Sequence, residues 1–292
     1  MTTHALRVPV ATGDTTKEIA VRDDLITGDN GGVLFCADLA FGYSYPAGTL
    51  PRPAPTAPAS GAVIRDMTSK GNNAAAGSLG NVSYAGGGFD FTGIGFTETG
   101  IVIPGEVSTQ LFTNQEFLFC SYFKLPPKAD WNPGPSISGM IASTPLSTQT
   151  YQTQPEIFIV SQAGTAGQLD LRVQKAINSI LNVGLTIPDG QGFYDDQVCQ
   201  IAVWAQGGSA KIRIKNINST LIASGSFTVN SADYSGNTIR VGGSPSGFGS
   251  TGSKTKNRVY RAFVEDLSVS GRNPETVLNA DFDRVISRGV FS

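Results

Sequence analysis

The stretch GGGFDFTGIGFTETGIVIPG at residues 86–105 joins glycine-rich turns to very short apolar runs. Three glycines precede the aromatic–acid–aromatic step at residues 89–91, and a further apolar run stops at a Pro-Gly pair. Short strands bounded by glycine and proline are typical of an antiparallel β-sandwich, in which tight turns join successive strands.

The same pattern of short apolar runs and turn clusters continues along most of the chain. EFLFCSYFKLP at residues 116–126 is continuously apolar and aromatic, as expected of a strand buried on both faces. In AKIRIK, alternation places Ile212 and Ile214 inside and predicts that the lysines and Arg213 face solvent. The sequence therefore predicts an all-β, two-sheet antiparallel sandwich over about residues 33–270.

One helix is predicted, at the C-terminus, in NPETVLNADFDRVISR. Asn273 is suited to the N-cap, Pro274 to the first helical position and Glu275 to the positive end of the helix dipole. The apolar residues that follow fall on one stripe at helical spacing. We expect a helix over residues 273–287, packed against the sandwich.

Residues 1–32 contain too little apolar surface to fold alone and are interpreted as an extended N-terminal arm. Short alternating runs of this kind are suited to adding a strand to an exposed sheet edge of a neighbouring protein. The residues of these runs are Leu6, Val8, Val10, Ile19 and Val21. The remaining residues, 33–292, are predicted to form one domain.

Residues 46–61, PAGTLPRPAPTAPASG, contain a proline at five positions. Proline fixes φ and removes a backbone donor, so this segment cannot enter a sheet interior. Residues 1–45 are too short for a separate domain, so we interpret the segment as an exposed loop within the domain. A PxxP ligand for an SH3-type partner is the less favoured alternative.

Composition narrows the function classes. Lys plus Arg number 21 and Asp plus Glu 23, so a net charge of −2 favours neither nucleic acid nor an anionic membrane as partner. The longest apolar runs are shorter than a bilayer span, and the N-terminus lacks signal-peptide features. The three cysteines lie in apolar runs and are expected to be buried thiols, as in a protein made and folded in a reducing cytosol.

Few residues suited to catalysis are present. The single histidine, His4, lies in the predicted arm, and no nucleophile-elbow, phosphate-loop or calcium-loop pattern occurs. The adjacent acids Asp195-Asp196 and Glu265-Asp266 would point to opposite faces of a strand, so both pairs are interpreted as solvated turn acids. We expect no enzyme activity and no cofactor. Asp195 and Asp196 are weak candidates for a metal site, and calcium is unsupported.

Two loops carry residues suited to carbohydrate binding. The first, KADWNPGPS at residues 128–136, offers Trp131 with Asp130 and Asn132 beside it. The second, QGFYDDQ at residues 191–197, offers Tyr194. Trp131 is the best single anchor, because its ring face can stack on a pyranose. A loop tryptophan that covers a core edge is the alternative interpretation.

Seven segments follow one another along the chain in a recognisable order: RDMTSKGNN (65–73), GGGFDFTG (86–93), IVIP (101–104), FLFCSYFKLP (117–126), CQIAVWAQGGSAKIRIKNINSTLIASG (199–225), TIRVGG (238–243) and RVYRAFVEDLSVSGRNPET (258–276). This ordered set resembles the concanavalin A-like, laminin G-type jelly-roll family, over roughly residues 33–287. The resemblance implies a jelly roll in which Asp90 lies in a strand as a structural acid. The paired-acid strand E-x-D-x-E of the family's hydrolases is absent, which argues against a glucanase.

These features predict a structural virion protein of a phage: a capsid decoration, head-fibre or tail component. The arm would attach it to other virion proteins, while a lectin-like sandwich is displayed, as a homo-oligomer that can contact cell-surface glycans. The alternative is a free carbohydrate-binding lectin or adhesin, and a glycoside hydrolase is least favoured. Fold alone does not decide between them.

Overall fold

The computed structural model describes residues 23–49, 57–59, 61–77, 82–91, 100–130, 138–145, 158–162, 167–176, 179–229, 237–242, 256–289 and 291. The strands of this part of the chain are β1 (Val33–Asp38), β2 (Val63–Ile64), β3 (Ala74–Ala76), β4 (Ser83–Ala85), β5 (Gly88–Asp90), β6 (Ile101–Ile103), β7 (Phe117–Lys124), β8 (Ser138–Pro145), β9 (Phe158–Gln162), β10 (Gln168–Ala176), β11 (Ser179–Thr186), β12 (Val198–Gln206), β13 (Ser209–Lys215), β14 (Thr220–Ser226), β15 (Asn237–Val241) and β16 (Arg258–Asp266). Its α-helices are α1 (Gly105–Asn114), α2 (Leu267–Ser270) and α3 (Pro274–Ser287).

The strands form two sheets of eight strands each. Sheet 1 has the order β14-β13-β12-β7-β16-β5-β4, and β1 also pairs with β16. Sheet 2 has the order β11-β10-β9-β8-β15-β6-β3-β2. Every pairing among the described strands is antiparallel. The predicted two-sheet antiparallel sandwich is confirmed.

Strand β7 is buried on both faces, as its continuous apolar run predicts. Phe119 and Phe123 belong to the core between the sheets. Leu118, Cys120 and Tyr122 alternate with them and pack into a second cluster on the outer face of sheet 1. A strand needs this composition when one face meets a second sheet and the other is also covered.

Helix α3 covers the outer face of sheet 1. Asn273 caps it by accepting a hydrogen bond from the backbone N–H of Thr276 at 3.0 Å, and Leu278 and Phe282 pack against the sheet. The predicted C-terminal helix is confirmed. Because it lies over β13, Arg213 is buried and donates to Oδ1 of Asn279 at 2.7 Å, so the prediction that Arg213 faces solvent is wrong.

Helix α1 was not predicted from the sequence. It buries Val107, Leu111 and Phe112 in the core between the sheets and ends at Gln115, whose φ is 53°. Its N-cap is Pro104, with no side-chain capping bond. A ten-residue helix that starts at a glycine and lacks a capping side chain carries little local signal.

The opening stretch forms a β-hairpin. Gly86 and Gly87 join β4 to β5 with φ values of 59° and 86°, a geometry that glycine adopts without strain. Gly88 lies against β16, where an added Cβ would come within 2.5 Å of the carbonyl oxygen of Val259. Asp90 pairs with Arg258 at 2.7 Å, as expected of a structural acid.

The turn RDMTSKGNN is built around a buried carboxylate. Asp66, 2% exposed, accepts hydrogen bonds from the backbone N–H groups of Cys36, Thr68 and Asn72 at 3.0, 2.9 and 3.1 Å. The turn is thereby fixed to β1, because a buried carboxylate is stable only when donors surround it.

The described N-terminal residues are part of the sandwich. Asp23 and Leu25 are buried, and Leu25 packs in the cluster beneath helix α3. The described residues 23–32, which the sequence analysis assigned to the arm, therefore pack with the sandwich. The arm residues Leu6, Val8, Val10, Ile19 and Val21, and His4, lie outside the described residues.

Other predictions on the chain's organisation are met in part. All three cysteines are free and buried. Within the described residues, no helix is long and apolar enough to cross a membrane. In the proline-rich segment, Pro46–Gly48 forms a 3-10 turn and Pro58 is buried, whereas residues 50–56 and 60 lie outside the described residues.

Candidate functional site

Several connecting loops meet at one end of the sandwich, which we call the loop end. It comprises residues 125–130 after β7, residues 187–197 between β11 and β12, residues 216–219 between β13 and β14, and residues 256–257 before β16. The second sequence-predicted carbohydrate loop lies here, as do Lys128–Asp130 of the first, whose residues 131–136 lie outside the described residues. Loops presented by a rigid scaffold commonly carry binding sites.

Two ion pairs tie these loops together. Lys128 Nζ lies 2.8 Å from Asp189 Oδ1, and Lys256 Nζ lies 2.8 Å from Asp130 Oδ1. All four side chains are partly exposed, so each pair adds little to stability. Their charged groups remain accessible to a ligand. The predicted site residue Asp130 is therefore held by Lys256 at the loop end.

Tyr194 stands at the same end with its ring packed against the core. Its hydroxyl donates to the carbonyl of Ile187 at 3.5 Å, and a Cβ on Gly167 would lie 2.9 Å from that oxygen. Burial raises the pKa of Tyr194, and nearby Asp189 adds to the shift, so the phenol stays protonated at neutral pH. Asp130 and Tyr194 are thus brought to one end. Trp131 and Asn132 lie outside the described residues.

A hydrogen-bonded turn that the sequence analysis missed borders Tyr194. Asn216 Oδ1 accepts from the backbone N–H groups of Asn218 and Ser219 at 2.9 and 2.8 Å, and its Nδ2 donates to Gln191 O at 2.7 Å. The Ser219 hydroxyl lies 2.8 Å from Oε1 of Gln191. The sequence NINS is a recognisable Asx-turn signal, so it could have been found.

Asp195 and Asp196 are exposed turn acids, as predicted. Asp196 has a φ of 56° and pairs with Lys124 at 3.0 Å. Among the residues that the structure describes, no three His, Cys, Asp or Glu side chains are grouped as metal ligands. The weak metal hypothesis for this pair gains no support from its geometry.

The interpretation of Glu265 and Asp266 as solvated turn acids is wrong. Glu265 is fully buried and accepts two hydrogen bonds from Arg272, each 2.7 Å long. Asp266 is 1% exposed and caps helix α2 through the backbone N–H of Ser268 at 3.0 Å. Both acids are structural, because helix α2 and Arg272 fold over the end of β16.

A buried ion cluster lies between sheet 1 and helix α3. Arg261 contacts Asp23 and Asp281 at 2.9 Å and Asp38 at 3.5 Å. Arg284 pairs with Asp23 at 2.7 Å. Burial raises the pKa of Asp23, but the opposing effect of Arg261 and Arg284 is larger. The pKa of this carboxyl is therefore lowered to about 2.

Two neutral side chains complete this cluster. The Tyr122 hydroxyl donates to Oδ2 of Asp281 at 2.7 Å, and Nε2 of Gln200 donates to that hydroxyl at 2.9 Å. The carboxylates are thus fully engaged by neighbours within the fold. We interpret the cluster as structural: it joins distant segments of the chain, and its carboxylates are buried away from solvent.

A depression of about 480 Å³ lies at the start of helix α1. Helix α1 precedes β7, whereas the loop end follows β7, so the two features occupy opposite ends of the sandwich. The depression is lined by Gly105, Glu106, Thr109 and Gln110. It contains none of the residues that the sequence singled out.

No family model matches this sequence, and no curated protein matches it. Among solved structures, the chain is similar to the binding domain of botulinum neurotoxin serotype D/C, with a TM-score of 0.55 and 9% identity. The match covers 87% of this chain and 52% of that chain, so this chain spans about half the neurotoxin domain's length.

Two further structures match more weakly. Lectin I-B4 from Griffonia simplicifolia has a TM-score of 0.37 and 12% identity, covering 63% of this chain and 90% of that chain. Tailspike protein 2 from Escherichia coli O157:H7 bacteriophage CAB120 has a TM-score of 0.35 and 9% identity, covering 51% and 20%. Scores below 0.5 carry no weight. The fold is a two-sheet antiparallel jelly-roll sandwich similar to that of the neurotoxin binding domain, and an identity of 9% says nothing more.

Proposed function

We propose that the protein is a structural component of a phage particle, attached through residues 1–22, that displays a lectin-like sandwich. The observation that carries the proposal is the way Asp23 is held. This residue is 4% exposed and bonded to Arg261 and Arg284, so whatever binds the preceding residues is joined directly to the core. A connection of this kind, between the buried Asp23 and the residues before it, is suited to attaching the sandwich to a partner.

The position of Asp23 also favours presentation of the sandwich on the particle surface. Asp23 lies on the helix α3 side of sheet 1, at the middle of β16, and not at the loop end. A partner that holds residues 1–22 would therefore leave the loop end free to face outward. The alternating residues of that segment are suited to strand addition on a virion protein or on a second copy.

The three buried free thiols agree with assembly in a reducing host cytoplasm. Burial raises the pKa of each thiol, so none is primed for disulfide exchange. In this proposal the chain is made in the host cytoplasm and joins the phage particle there, before the cell lyses, so its final location is the virion.

Mass spectrometry of purified phage particles from the source of the sequence tests this proposal. We expect the chain in amounts stoichiometric with the other particle proteins. Antibodies against residues 23–292 should label the particle surface in immunogold electron microscopy. Its absence from particles that are otherwise complete would refute the proposal.

The second candidate, a free carbohydrate-binding lectin or adhesin, is favoured by the loop end. Tyr194 and Asp130 lie there, and Trp131 directly follows Asp130 in the sequence. A glycan array with the wild type and Trp131→Ala tests this candidate, with Tyr43→Ala as the exposed-aromatic control. Selective loss of signal with Trp131→Ala supports the candidate, and an array without hits contradicts it.

We further propose that the protein lacks glycoside hydrolase activity. The acids described above are paired, capping or isolated in turns, and none is arranged as the carboxylate couple that hydrolysis needs. Reducing-end release from β-glucans should equal that of a heat-inactivated sample. Release above that control would show an active site.

A further inference from the structure

Strand β14 is a long and regular edge strand. It forms one end of sheet 1, and among the described strands its only partner is β13. All of Thr220–Ser226 pairs with β13 without a register shift. The sequence of the strand, TLIASGS, contains no charged residue and no proline. Monomeric proteins normally protect such an edge with charges, proline, a bulge or a covering segment.

The other edges of the sandwich carry protection of this kind. At the far ends of the two sheets, β4 and β2 are only three and two residues long. The turn after β2 covers β1, because Cys36 donates to Asp66 and accepts from the Met67 N–H at 2.7 Å. Strand β11, at the end of sheet 2 beside β14, has a register shift in its pairing with β10. Among the described strands, β14 is therefore the long edge without such protection.

Exposed apolar side chains are concentrated along this edge. Of the six exposed large hydrophobic residues in the described part of the chain, three are Ile217, Ile222 and Val229. Ile222 lies on β14 and is 42% exposed, while Ile217 precedes the strand and Val229 follows it. Ile217 and Val229 lie equally far in sequence from Ala223, at the middle of β14. An antiparallel copy of β14 would thus bring each Ile217 to the same end as the other copy's Val229.

The outward-pointing backbone groups of β14 belong to alternate residues. On the β13 side, the Ser219 carbonyl accepts from the Asn216 N–H at 3.0 Å, and the Phe227 N–H donates to the Gly208 carbonyl at 2.9 Å. Backbone groups alternate in direction along an antiparallel strand. The N–H and C=O groups of the even-numbered residues within 220–226 therefore point away from β13.

We propose that two copies of the protein pair through β14 in antiparallel orientation, about a two-fold axis at Ala223. In this register Ile222 of one copy lies opposite Ser224 of the other, and Thr220 lies opposite Ser226. Even-numbered residues thus meet each other, so that about eight backbone hydrogen bonds form and sheet 1 continues into its copy. The two Ile222 side chains lie on the same face, on a diagonal about 7–8 Å across.

The charges near this edge do not oppose pairing. Lys211 and Lys215 of β13 pair with Glu275 and Asp283 of helix α3 at 3.2 and 3.7 Å. The helix therefore extends to β13, whereas Ile222 on the next strand is 42% exposed. The net charge of the chain is only −2, so repulsion between two copies is weak.

The partner that fits this edge best is a second copy of the chain. The symmetric placement of Ile217 and Val229 about Ala223 makes the edge complementary to itself, as a two-fold interface requires. A strand from an unrelated protein would match the backbone groups but not both apolar ends. Because one strand pair is a small interface, we expect a dimer Kd in the micromolar range.

The pairing has a consequence for the proposed attachment. A two-fold axis perpendicular to sheet 1 places the outer faces of both copies on the same side. Both Asp23 residues, which follow the proposed attachment segment, then lie on one side of the dimer. Two attachments to one surface bind more tightly than a single attachment. This consequence rests on the function proposed above, whereas the dimer itself does not.

Sedimentation velocity of the full chain, from submicromolar to high micromolar concentration, tests the dimer. In Ile222→Lys the Kd should rise by at least about tenfold, because two lysines then meet across the axis. Val63→Lys is the matched control: Val63 is 53% exposed on the edge strand β2, so this variant should dimerise like the wild type. Both variants should keep the wild-type Tm, because both side chains are exposed.

Cysteine crosslinking tests the register. Ala223→Cys places two thiols opposite each other on the axis, within reach of a disulfide. Ser226→Cys places them about 20 Å apart, which is too far for a bond. The three native cysteines are buried and should not interfere. Under mild oxidation we expect covalent dimers from Ala223→Cys and none from Ser226→Cys.

Four results would overturn the inference. The first is a monomer at every concentration, and the second is a dimer whose Kd is unchanged in Ile222→Lys. The third is the absence of a covalent dimer from Ala223→Cys. The fourth is loss of the dimer when residues 1–22 are removed, which would assign the contact to that segment. Whether the chain is found in particles does not depend on these results, so the attachment proposal is judged separately.

Discussion

Oδ2 of Asp23 lies 2.9 Å from Nη1 of Arg261, although 238 residues separate the two in the chain. Both side chains are fully buried, beneath a helix whose Asp281 contacts the same guanidinium. The contact joins the first described residue to strand β16 of sheet 1 and to the C-terminal helix. The stability of the fold and its response to pH therefore depend on one cluster, and the segment proposed for attachment is joined to that cluster.

Replacing Asp23 by asparagine should destabilise the sandwich by about 3–5 kcal/mol. The substitution leaves Arg261 and Arg284 with less negative charge in a site closed to water, and breaking a buried pair from one side has this cost. Urea unfolding followed by tryptophan fluorescence measures it. The neighbouring acid Asp24 is exposed, so Asp24→Asn should change stability by less than about 0.5 kcal/mol. Equal effects would contradict the cluster's role.

Acid should weaken the fold through Asp23. Its pKa falls from 3.8 to about 2 on folding, so the unfolded chain binds its proton first as pH drops. This stabilisation, about 2 kcal/mol, is complete above about pH 5 and is lost as pH falls towards 2. Unfolding curves at pH 6, 4 and 3 should show the decline, and it should be smaller in Asp23→Asn. An identical decline in the variant would assign it to other groups.

Gly88→Ala should destabilise the β4–β5 hairpin and with it the sheet, by about 1–3 kcal/mol. The added Cβ would lie 2.5 Å from a backbone oxygen of Val259 and 2.7 Å from Tyr260 Cδ1, and a strand backbone cannot yield easily. Gly105→Ala is the matched control, with 3.9 Å of clearance from Asn237 O. Thermal unfolding should separate the two variants, and a neutral Gly88→Ala would refute the close packing.

Replacing the aspartate of a buried ion pair should lower the free energy of unfolding more than replacing the aspartate of an exposed pair. Asp90 is 12% exposed and its partner Arg258 25%, whereas Asp189 is 72% exposed and Lys128 39%. Asp90→Asn should cost about 1 kcal/mol, and Asp189→Asn less than about 0.5 kcal/mol, because solvent screens the second pair. Urea unfolding of both variants checks this order, and a reversed order would contradict it.

Local patterns predicted the parts of the fold that they specify directly. The apolar run of β7, and the N-cap residue and apolar stripe of α3, each consist of residues close together in the sequence. Both elements were therefore predicted. Arg213 and Glu265 look exposed in sequence because their burial depends on helix α3 and Arg272, which cover them later in the chain. Helix α1 lacks a capping side chain and gave no signal.

The candidate sites follow the same division. Tyr194 and Asp130 were found because aromatic and acidic residues in turn-rich loops are a recognisable pattern. The burial of Arg240 was not predicted, since TIRVGG resembles any alternating strand; only the structure shows that this side chain is 1% exposed and that no carboxylate among the described residues pairs with it. Whether a charge is paired depends on contacts distant in sequence.

The most direct test of attachment compares the full chain with a variant lacking residues 1–22. Each protein is supplied in trans to a phage whose own copy of the gene has been deleted, and particles are allowed to assemble. Copies per purified particle are counted by quantitative mass spectrometry, and the Tm of each purified chain is measured alongside. We predict equal Tm values, because all core contacts described above are made by residue 23 or later residues, and no incorporation of the shortened chain. Normal incorporation of the shortened chain would contradict attachment through residues 1–22.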